Sequence, residues 1–407
     1  MRSVMKGVRV LEVAQYTFVP AAGAVLADWG ADVIKVEHAE TGDAQRGLRQ
    51  LGSVEIDADR NPLMEHANRG KRSIGLDLSQ PGARETLYRL AERSDVFLTN
   101  FLPSARTKLR IDLEDIRAAN PEIIYVRGSA YGNAGPERDT GGYDMTAFWC
   151  RGGSAAGATP DGTDGIVGQP GPAYGDSIGG MTIAGGIAGA LFARERTGET
   201  SVVDVSLLST GMWAMGLAVD LTLSTGERWK AAPIRHHGSA SNPLVGLYRT
   251  SDGRTLSLAM LQAHKYWPDF CRLAGRTELE MDPRFDSAEA LFRNAGAASE
   301  IVAEIIGARP LSDWKRILAE GEGQWAPVQD TVELAADGQA RENGYIVPVD
   351  ADDGGTYELV ASPVQFDEQP PAVERAPAFA EHTDEVLLEL GLDWPEILEL
   401  KAAGAVT

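Results

Sequence analysis

Val8-Arg9-Val10-Leu11-Glu12-Val13, the apolar run Ala21–Trp29, and Asp32-Val33-Ile34-Lys35-Val36-Glu37 together decide the fold. The outer stretches are short and β-branched, and the middle one has helical spacing, so the opening reads strand, helix, strand. The alternation continues. Arg72–Leu78 is strand-like, Gly82–Arg93 helical, Val96–Thr99 a strand, Leu113–Ala119 helical and Ile123–Arg127 another strand. Strands joined through helices pair in parallel, which predicts an α/β fold with a doubly wound, Rossmann-like sheet. The loop after the first strand, Ala14-Gln15-Tyr16-Thr17-Phe18-Val19-Pro20, lacks G-x-G-x-x-G. Without those glycines a pyrophosphate cannot approach the helix N-terminus, so a nicotinamide cofactor is not expected.

Further along, Met181–Ala193 is a bland apolar helix, Ser201–Leu208 a strand or helix start, and Leu207–Thr225 apolar and helical. Pro233–Pro243 interrupts the pattern. Tyr248–Met260 reads as a hairpin around Ser251-Asp252-Gly253, with helices expected near Gln262–Ala274, Ala288–Ile306 and Trp314–Glu320. The C-terminal part carries a strand pair, Tyr345–Val349 with Thr356–Val364, then helices over Glu385–Leu390 and Glu396–Ala402. The predicted organisation is a large domain over 1–200, a linker helix over 201–225, a smaller inserted α+β domain over 226–330, and a return to the large domain over 331–407.

The chain of 407 residues has a formal net charge of -21. Such a field disfavours nucleic acid and anionic membranes as partners. Two cysteines, Cys150 and Cys271, give no disulfide framework, and no signal peptide or membrane span is read, since Ile178–Phe192 is short and rich in Gly; a cytoplasmic protein is expected. The six histidines show no ligand spacing, so no metal is expected. No candidate Cys–His pair is evident, and carboxylate chemistry is expected.

The carboxylate that stands out is Asp176, between the Gly- and Pro-rich loop Gly165–Gly175 and the helical run from Ser177. Two roles suit it: a helix cap kept ionised by backbone N–H groups and the dipole, or a reactive group with room for a substrate. Asp144, after Gly141-Gly142-Tyr143, is likewise a cap or a second carboxylate at the site. Asn68-Arg69-Gly70-Lys71-Arg72-Ser73 is a phosphate-binding loop or a solvated turn. Asn100-Phe101-Leu102-Pro103 follows a strand end, where ligands of open α/β sheets lie.

In order and spacing these segments resemble the class III CoA-transferase family, which also contains the α-methylacyl-CoA racemases. The resemblance rests on Gly7–Glu12, Gly30–Glu37, Asn68–Leu78, Asn100–Pro103, Gly142–Asp144, Gly175–Ser177 and Glu381–Leu387. It implies a large Rossmann-like domain built from both chain ends, a small domain between them, and an interlocked homodimer. It further implies a CoA-transferase in which Asp176 is the nucleophile, passing through an aspartyl anhydride and an aspartyl-CoA thioester. The partners are then an acyl-CoA, with coenzyme A as substrate rather than prosthetic group, and a carboxylic acid acceptor. For CoA the resemblance points to Thr17, Phe18, His38, Leu76, Asp77, Leu78, Ser79, Asn100, Phe101, Leu102, Lys108, Gly141, Gly142, Tyr143 and Asp144. The basic group adds Lys71 and Arg72 as cations for the phosphates, and Gly179 and Gly180 are expected oxyanion donors.

Three departures from the family pattern matter. Thr17 stands where some transferases carry Gln, Lys108 where an Arg is usual, and Gly238-Ser239-Ala240-Ser241-Asn242-Pro243 where the formyl-CoA transferases have a run of glycines. Trp149, Met212, Trp213 and Met215 are an acyl pocket or plain core. The alternative within the family, racemase chemistry through an α-proton shuttle, uses a His where this chain has Tyr143. A phenol near pKa 10 is a poor base at neutral pH.

Overall fold

The computed structural model describes residues 3–57, 60–231 and 241–407. The chain divides into two compact units, one formed by 1–231 with 338–407 and the other by 232–337.

The larger unit is organised by six parallel strands: β1 (Arg9–Val13), β2 (Asp32–Glu37), β3 (Arg72–Gly75), β4 (Val96–Thr99), β5 (Ile124–Ser129) and β6 (Val202–Ser206). They lie in the order β3-β2-β1-β4-β5-β6. The order reverses between β1 and β4, and the strand ends splay there into the crevice where open α/β sheets bind ligands.

Side chains alternate between the two sheet faces. Val10, Val33, Val96 and Val126 pack under α1 (Phe18–Asp28) and α6 (Tyr174–Thr197). Their neighbours Leu11, Ile34, Phe97 and Tyr125 face α3 (Pro81–Ala91) together with Val386 and Leu387 of α9 (Thr383–Glu389). Each face is therefore covered, as a parallel sheet requires. The other helices of this unit that bear on the site are α2 (Pro62–Asn68), α4 (Pro103–Leu109), α7 (Leu207–Ala214) and α8 (Gly216–Thr225).

Two expectations are corrected here. The stretch read as a linker helix over 201–225 is a core strand, β6, followed by α7 and α8, which meet at a bend of 72°. The β-branched run Val202-Val203-Asp204-Val205 decides it, because it can complete the sheet beside β5. The inserted unit is also displaced, to 232–337. Ala231 bridges back to Pro160, which keeps 226–231 with the large unit. At the far end, Arg254 pairs with Glu333 at 2.7 Å, which keeps 331–337 with the small one.

The small unit has an antiparallel sheet of Val245–Arg249, Thr255–Ala259 and Trp325–Pro327. Its third strand is too short for a sequence pattern to reveal.

α6 is 24 residues long, and it is long and apolar enough to cross a membrane, with a mean hydropathy of 1.2 over an 18-residue stretch. Its Ile183, Ala184 and Ile187 are fully buried against α1, as in the core helix of a globular unit. Gly179 and Gly180 make the approach close. A Cβ on Gly179 would stand 2.3 Å from the Phe18 ring, and one on Gly180 2.6 Å from Ala21.

Candidate active site at the sheet's switch point

A cleft of about 540 Å³ opens at the C-terminal ends of β1, β4 and β5. Phe18, Asn100, Phe101 and Leu102 line one part of it, and Gly141, Gly142 and Tyr143 another, with Asp176 on the wall. The sequence-derived set thus converges on one place for these eight residues.

Asp176 sits in the first turn of α6 but does not cap it. The cap position belongs to Ala173, in the left-handed region at φ 54, with no side-chain cap bond. The capping acceptor comes from another element. Asp144 opens the π-helical turn Asp144–Cys150, and its Oδ1 accepts the Gly175 N–H at 3.1 Å. The Tyr174 and Asp176 N–H groups are directed at the same carboxylate, and Gln169 Nε2 donates to its Oδ2 at 3.1 Å. Gly175 permits this approach: a Cβ there would lie 2.2 Å from the Phe148 ring and 2.6 Å from Asp144 Oδ1.

The expectation that the helix N-terminus keeps Asp176 ionised therefore fails, because Asp144 takes the N–H groups that would have done so. Burial, and then the Asp144 charge, push Asp176 up to about 7. Burial also raises Asp144, opposed by Gln169 and the helix N–H groups. Like carboxyls in one poorly solvated place titrate as a pair, and the less well-donated member holds its proton longer. Gly179 and Gly180 are not oxyanion donors. Both lie beyond the first turn of α6, where helix N–H groups are bonded to carbonyls four residues back.

Asn100 clasps the switch point: its Nδ2 donates to Gln15 O at 2.7 Å, and its Oδ1 accepts the Gln15 N–H at 3.1 Å. Its amide is spent on tying the loop after β1 to the loop after β4. Thr17 is buried and bonded to Gln45 at 3.3 Å rather than facing the cleft. Tyr16 takes its place, turned outward by a left-handed backbone (φ 64) that Asp43 Oδ1 secures through the Tyr16 N–H at 3.2 Å. Its ring meets Tyr143 edge to face at 5.6 Å.

Lys71 and Arg72 are corrected outright. Lys71 Nζ is fully buried and bonds both Glu12 oxygens at 2.8 and 2.7 Å, with Pro20 O at 2.8 Å. Arg72 forks onto Asp32 at 3.0 and 2.7 Å and reaches Glu389 at 2.8 Å. It stands at the entry of β3, the wrong end of a parallel strand for ligand contact.

His38 Nε2 lies 3.8 Å from Asp77 Oδ1, which also accepts the Ser79 N–H. These two and Ser79 gather at the ends of β2 and β3, while the Leu76 and Leu78 side chains are core. Lys108 is exposed on α4 and does not line the cleft. The reading missed Arg138, a cleft residue whose Nε lies 3.4 Å from Asp139. The available signal was a cation in the same short loop as Gly141–Asp144.

Of the suggested acyl-pocket residues, Trp149 is core, with Nε1 bonded to Val167 O at 3.0 Å. Met212 and Trp213 are exposed, and Met215 lines a separate recess. The segment 232–240, with His236, His237 and the Gly238-Ser239-Ala240 half of the Gly238–Pro243 stretch, lies outside the described residues. Among the described residues no group of side chains could hold a metal, and no histidine lines the cleft.

Residues 5–383 match the family model for CoA-transferase family III. The chain belongs to that family. The CoA-transferase is 30% identical to (R)-2-hydroxy-4-methylpentanoate CoA-transferase of Clostridioides difficile over 99% of both chains. It is also 30% identical to cinnamoyl-CoA:phenyllactate CoA-transferase of Clostridium sporogenes, covering 98% of this chain and 96% of that one. Among solved structures, a CAIB/BAIF family protein from Brucella suis superposes with a TM-score of 0.81 at 26% identity, over 96% of this chain and 100% of that one. The mixed α/β architecture with its parallel central sheet is thus shared with that structure.

Proposed function

We propose that this CoA-transferase moves CoA between carboxylic acids with Asp176 as the covalent nucleophile. The supporting observation is a carboxyl of raised basicity on the wall of the switch-point cleft, where nothing among the described residues donates to it. An Asp176 oxygen attacks the donor thioester carbon, the C–S bond breaks, and CoA leaves as thiolate, giving a mixed anhydride. The thiolate then attacks the Asp176 carbonyl, releasing the donor carboxylate and forming an aspartyl-CoA thioester. The acceptor carboxylate attacks the aspartyl-CoA carbonyl and breaks its C–S bond, giving a second mixed anhydride and CoA thiolate; the thiolate attacks the acceptor acyl carbon, and Asp176 leaves as carboxylate. Each step exchanges one activated acyl bond for another, so no external energy source is needed.

In this reading CoA lies along Phe18, Phe101, Leu102 and Gly141–Tyr143, with Arg138 as phosphate cation and the His38/Asp77/Ser79 group as adenine rim. Phe18, Tyr131 and Leu207 give the acyl end an apolar wall. Together with the relatives' substrates, that wall favours a branched or aryl carboxylic acid. The racemase alternative has Tyr143 in place of the required His and no other histidine in the cleft among the described residues. We further assign a Rossmann-like large domain, a cytoplasmic location consistent with two unpaired cysteines, and an interlocked homodimer. The dimer is supported by apolar side chains left open on α7 and α8, with Trp213 86%, Leu217 77% and Leu223 79% exposed.

The test is intact mass after incubation with a panel of acyl-CoAs and brief hydroxylamine or borohydride trapping, comparing wild type with Asp176→Ala. An adduct in wild type alone supports covalent transfer and names a donor. Deuterium entering the acyl α-carbon without an adduct moves the protein to the racemases. Sedimentation at low protein concentration tests the dimer, which a stable monomer would exclude.

A further inference from the structure

We propose that Asp144 is a positioning residue of the transfer reaction: it seats the N-terminus of α6 and, by taking up that helix's free N–H groups, leaves Asp176 a strong nucleophile. The inference rests on the proposed role of Asp176.

The geometry carries it. Asp144 is only 6% exposed and belongs to a different element from the helix it caps. Its Oδ1 holds the Gly175 N–H at 3.1 Å, one residue before the nucleophile, and its Oδ2 is held by Gln169 at 3.1 Å. A helix N-terminus ordinarily stabilises an anion in its first turn and so weakens it as a nucleophile. Here the N–H groups point at Asp144, so the stabilisation goes to the capping carboxylate. Asp176 is left facing the cleft beside a like charge, which makes its own charge costly. That cost disappears when Asp176 becomes acylated, because anhydride and thioester are neutral. Asp144 thereby favours the covalent intermediates over the resting carboxylate, an interaction that differs between ground state and intermediate.

The other groups around Asp176 do not supply this effect. α1 presents Phe18, β5 presents Gly128, and α7 begins with Leu207. From α2, His66 Nε2 reaches Ser177 Oγ at 2.9 Å, and burial holds that imidazole down to about 4, so it is neutral at working pH. The cleft cations are engaged elsewhere, Arg106 with Asp112 at 3.0 Å and Arg138 with Asp139. Tyr16 and Tyr143 complete the polar rim.

The test is Asp144→Asn, which keeps an acceptor oxygen for the Gly175 N–H and removes the charge. In the purified enzyme, the expected result is an Asp176 adduct that still forms, with the acid limb of the kcat pH profile moved down by about one pH unit or more. kcat at pH 8 should fall several-fold while KM for acyl-CoA stays within about threefold. Asp144→Ser, a neutral cap, should give the same pH profile, and Asp144→Glu should move the limb back toward wild type. A lowered Tm with an unmoved acid limb in both neutral variants would make Asp144 a structural cap only and overturn the inference. Absence of any adduct in the wild-type enzyme would instead overturn the nucleophile assignment, so the two failures are distinguishable.

Discussion

Two buried clusters of charge, one beneath α1 and one at the N-terminus of α6, differ in how their charges are balanced. Beneath α1, Glu12, Lys35, Lys71 and Asp43 form a balanced set of two cations and two anions. Lys35 Nζ stands 2.8 Å from Asp43 and 3.3 Å from Glu12, and Lys71 stands 2.7 Å from Glu12. Burial works against the Lys35 charge, and Asp43, Glu12 and Glu37 outweigh it. At the N-terminus of α6 the cluster is two carboxyls with backbone donors and no cation, and there burial pushes Asp176 up to about 7. In the first cluster Lys35 is held charged while burial outweighs Glu12 at Lys71 and brings it down to about 8; in the second, burial with no cation nearby raises the carboxyl. The first cluster holds the Tyr16 turn through Asp43. The second holds the proposed nucleophile.

Breaking the second cluster should have the largest effect. Asp176→Asn is expected to abolish the covalent adduct and lower kcat by roughly 10³-fold or more, as removal of a nucleophile does. The same change should stabilise the fold at pH 8. In the unfolded chain Asp176 ionises near 4, in the folded protein only near 7, so the wild type loses stability as pH rises between those values. At about 1.4 kcal/mol per pH unit, Asn should recover about 2–4 kcal/mol at pH 8 and much less at pH 5. Urea unfolding at both values measures it; equal gains at the two would remove the raised carboxyl from the account.

Breaking the first cluster should come next. Lys71→Met leaves Glu12 half-neutralised in the interior and should cost about 3–5 kcal/mol of stability. Replacing Glu12 by Gln in the same chain should return much of it. If Lys71→Met instead keeps the fold and raises KM for acyl-CoA, the lysine belongs to the ligand after all.

Two further measurements sharpen the contrast. On the proposal that Asp176 reacts as the anion, kcat should rise about tenfold per pH unit below its pKa and level off above about 7; a limb near 4 would restore the ordinary carboxylate. Arg138→Gln should have the smallest effect, raising KM for acyl-CoA about threefold to tenfold at low salt with kcat unchanged. An unchanged KM would take the phosphates away from that residue.

The opening strand, helix and strand were legible because their patterns are local: alternating β-branched residues and a helical apolar run survive in any surroundings. Asp176 was legible as a carboxylate at a helix start. Its ionisation was not, since that depends first on burial and then on Asp144, 32 positions upstream in sequence and brought close by the fold. Lys71 misled for the same reason. A short basic loop looks solvated or ligand-facing until the β3 register, pairing Lys35 with Ser73, buries the neighbouring lysine beside Glu12. Strand β6 was blurred by the helix that follows it without a break. Thr17 and Tyr16 exchanged places because a left-handed backbone at a tyrosine leaves no mark in residue pattern.

The sheet is finished late. The Gly75 N–H donates to Thr383 Oγ1 across 308 residues, and Val386 and Leu387 cover a face that β1 to β5 have already laid down. At roughly 5–20 residues per second, a ribosome needs about 15–60 s to make the chain between those two residues. For that interval the nascent sheet carries Leu11, Ile34 and Ile74 without their lid. The chain should therefore engage a holding chaperone during synthesis, and its yield should fall when elongation is slowed upstream of α9.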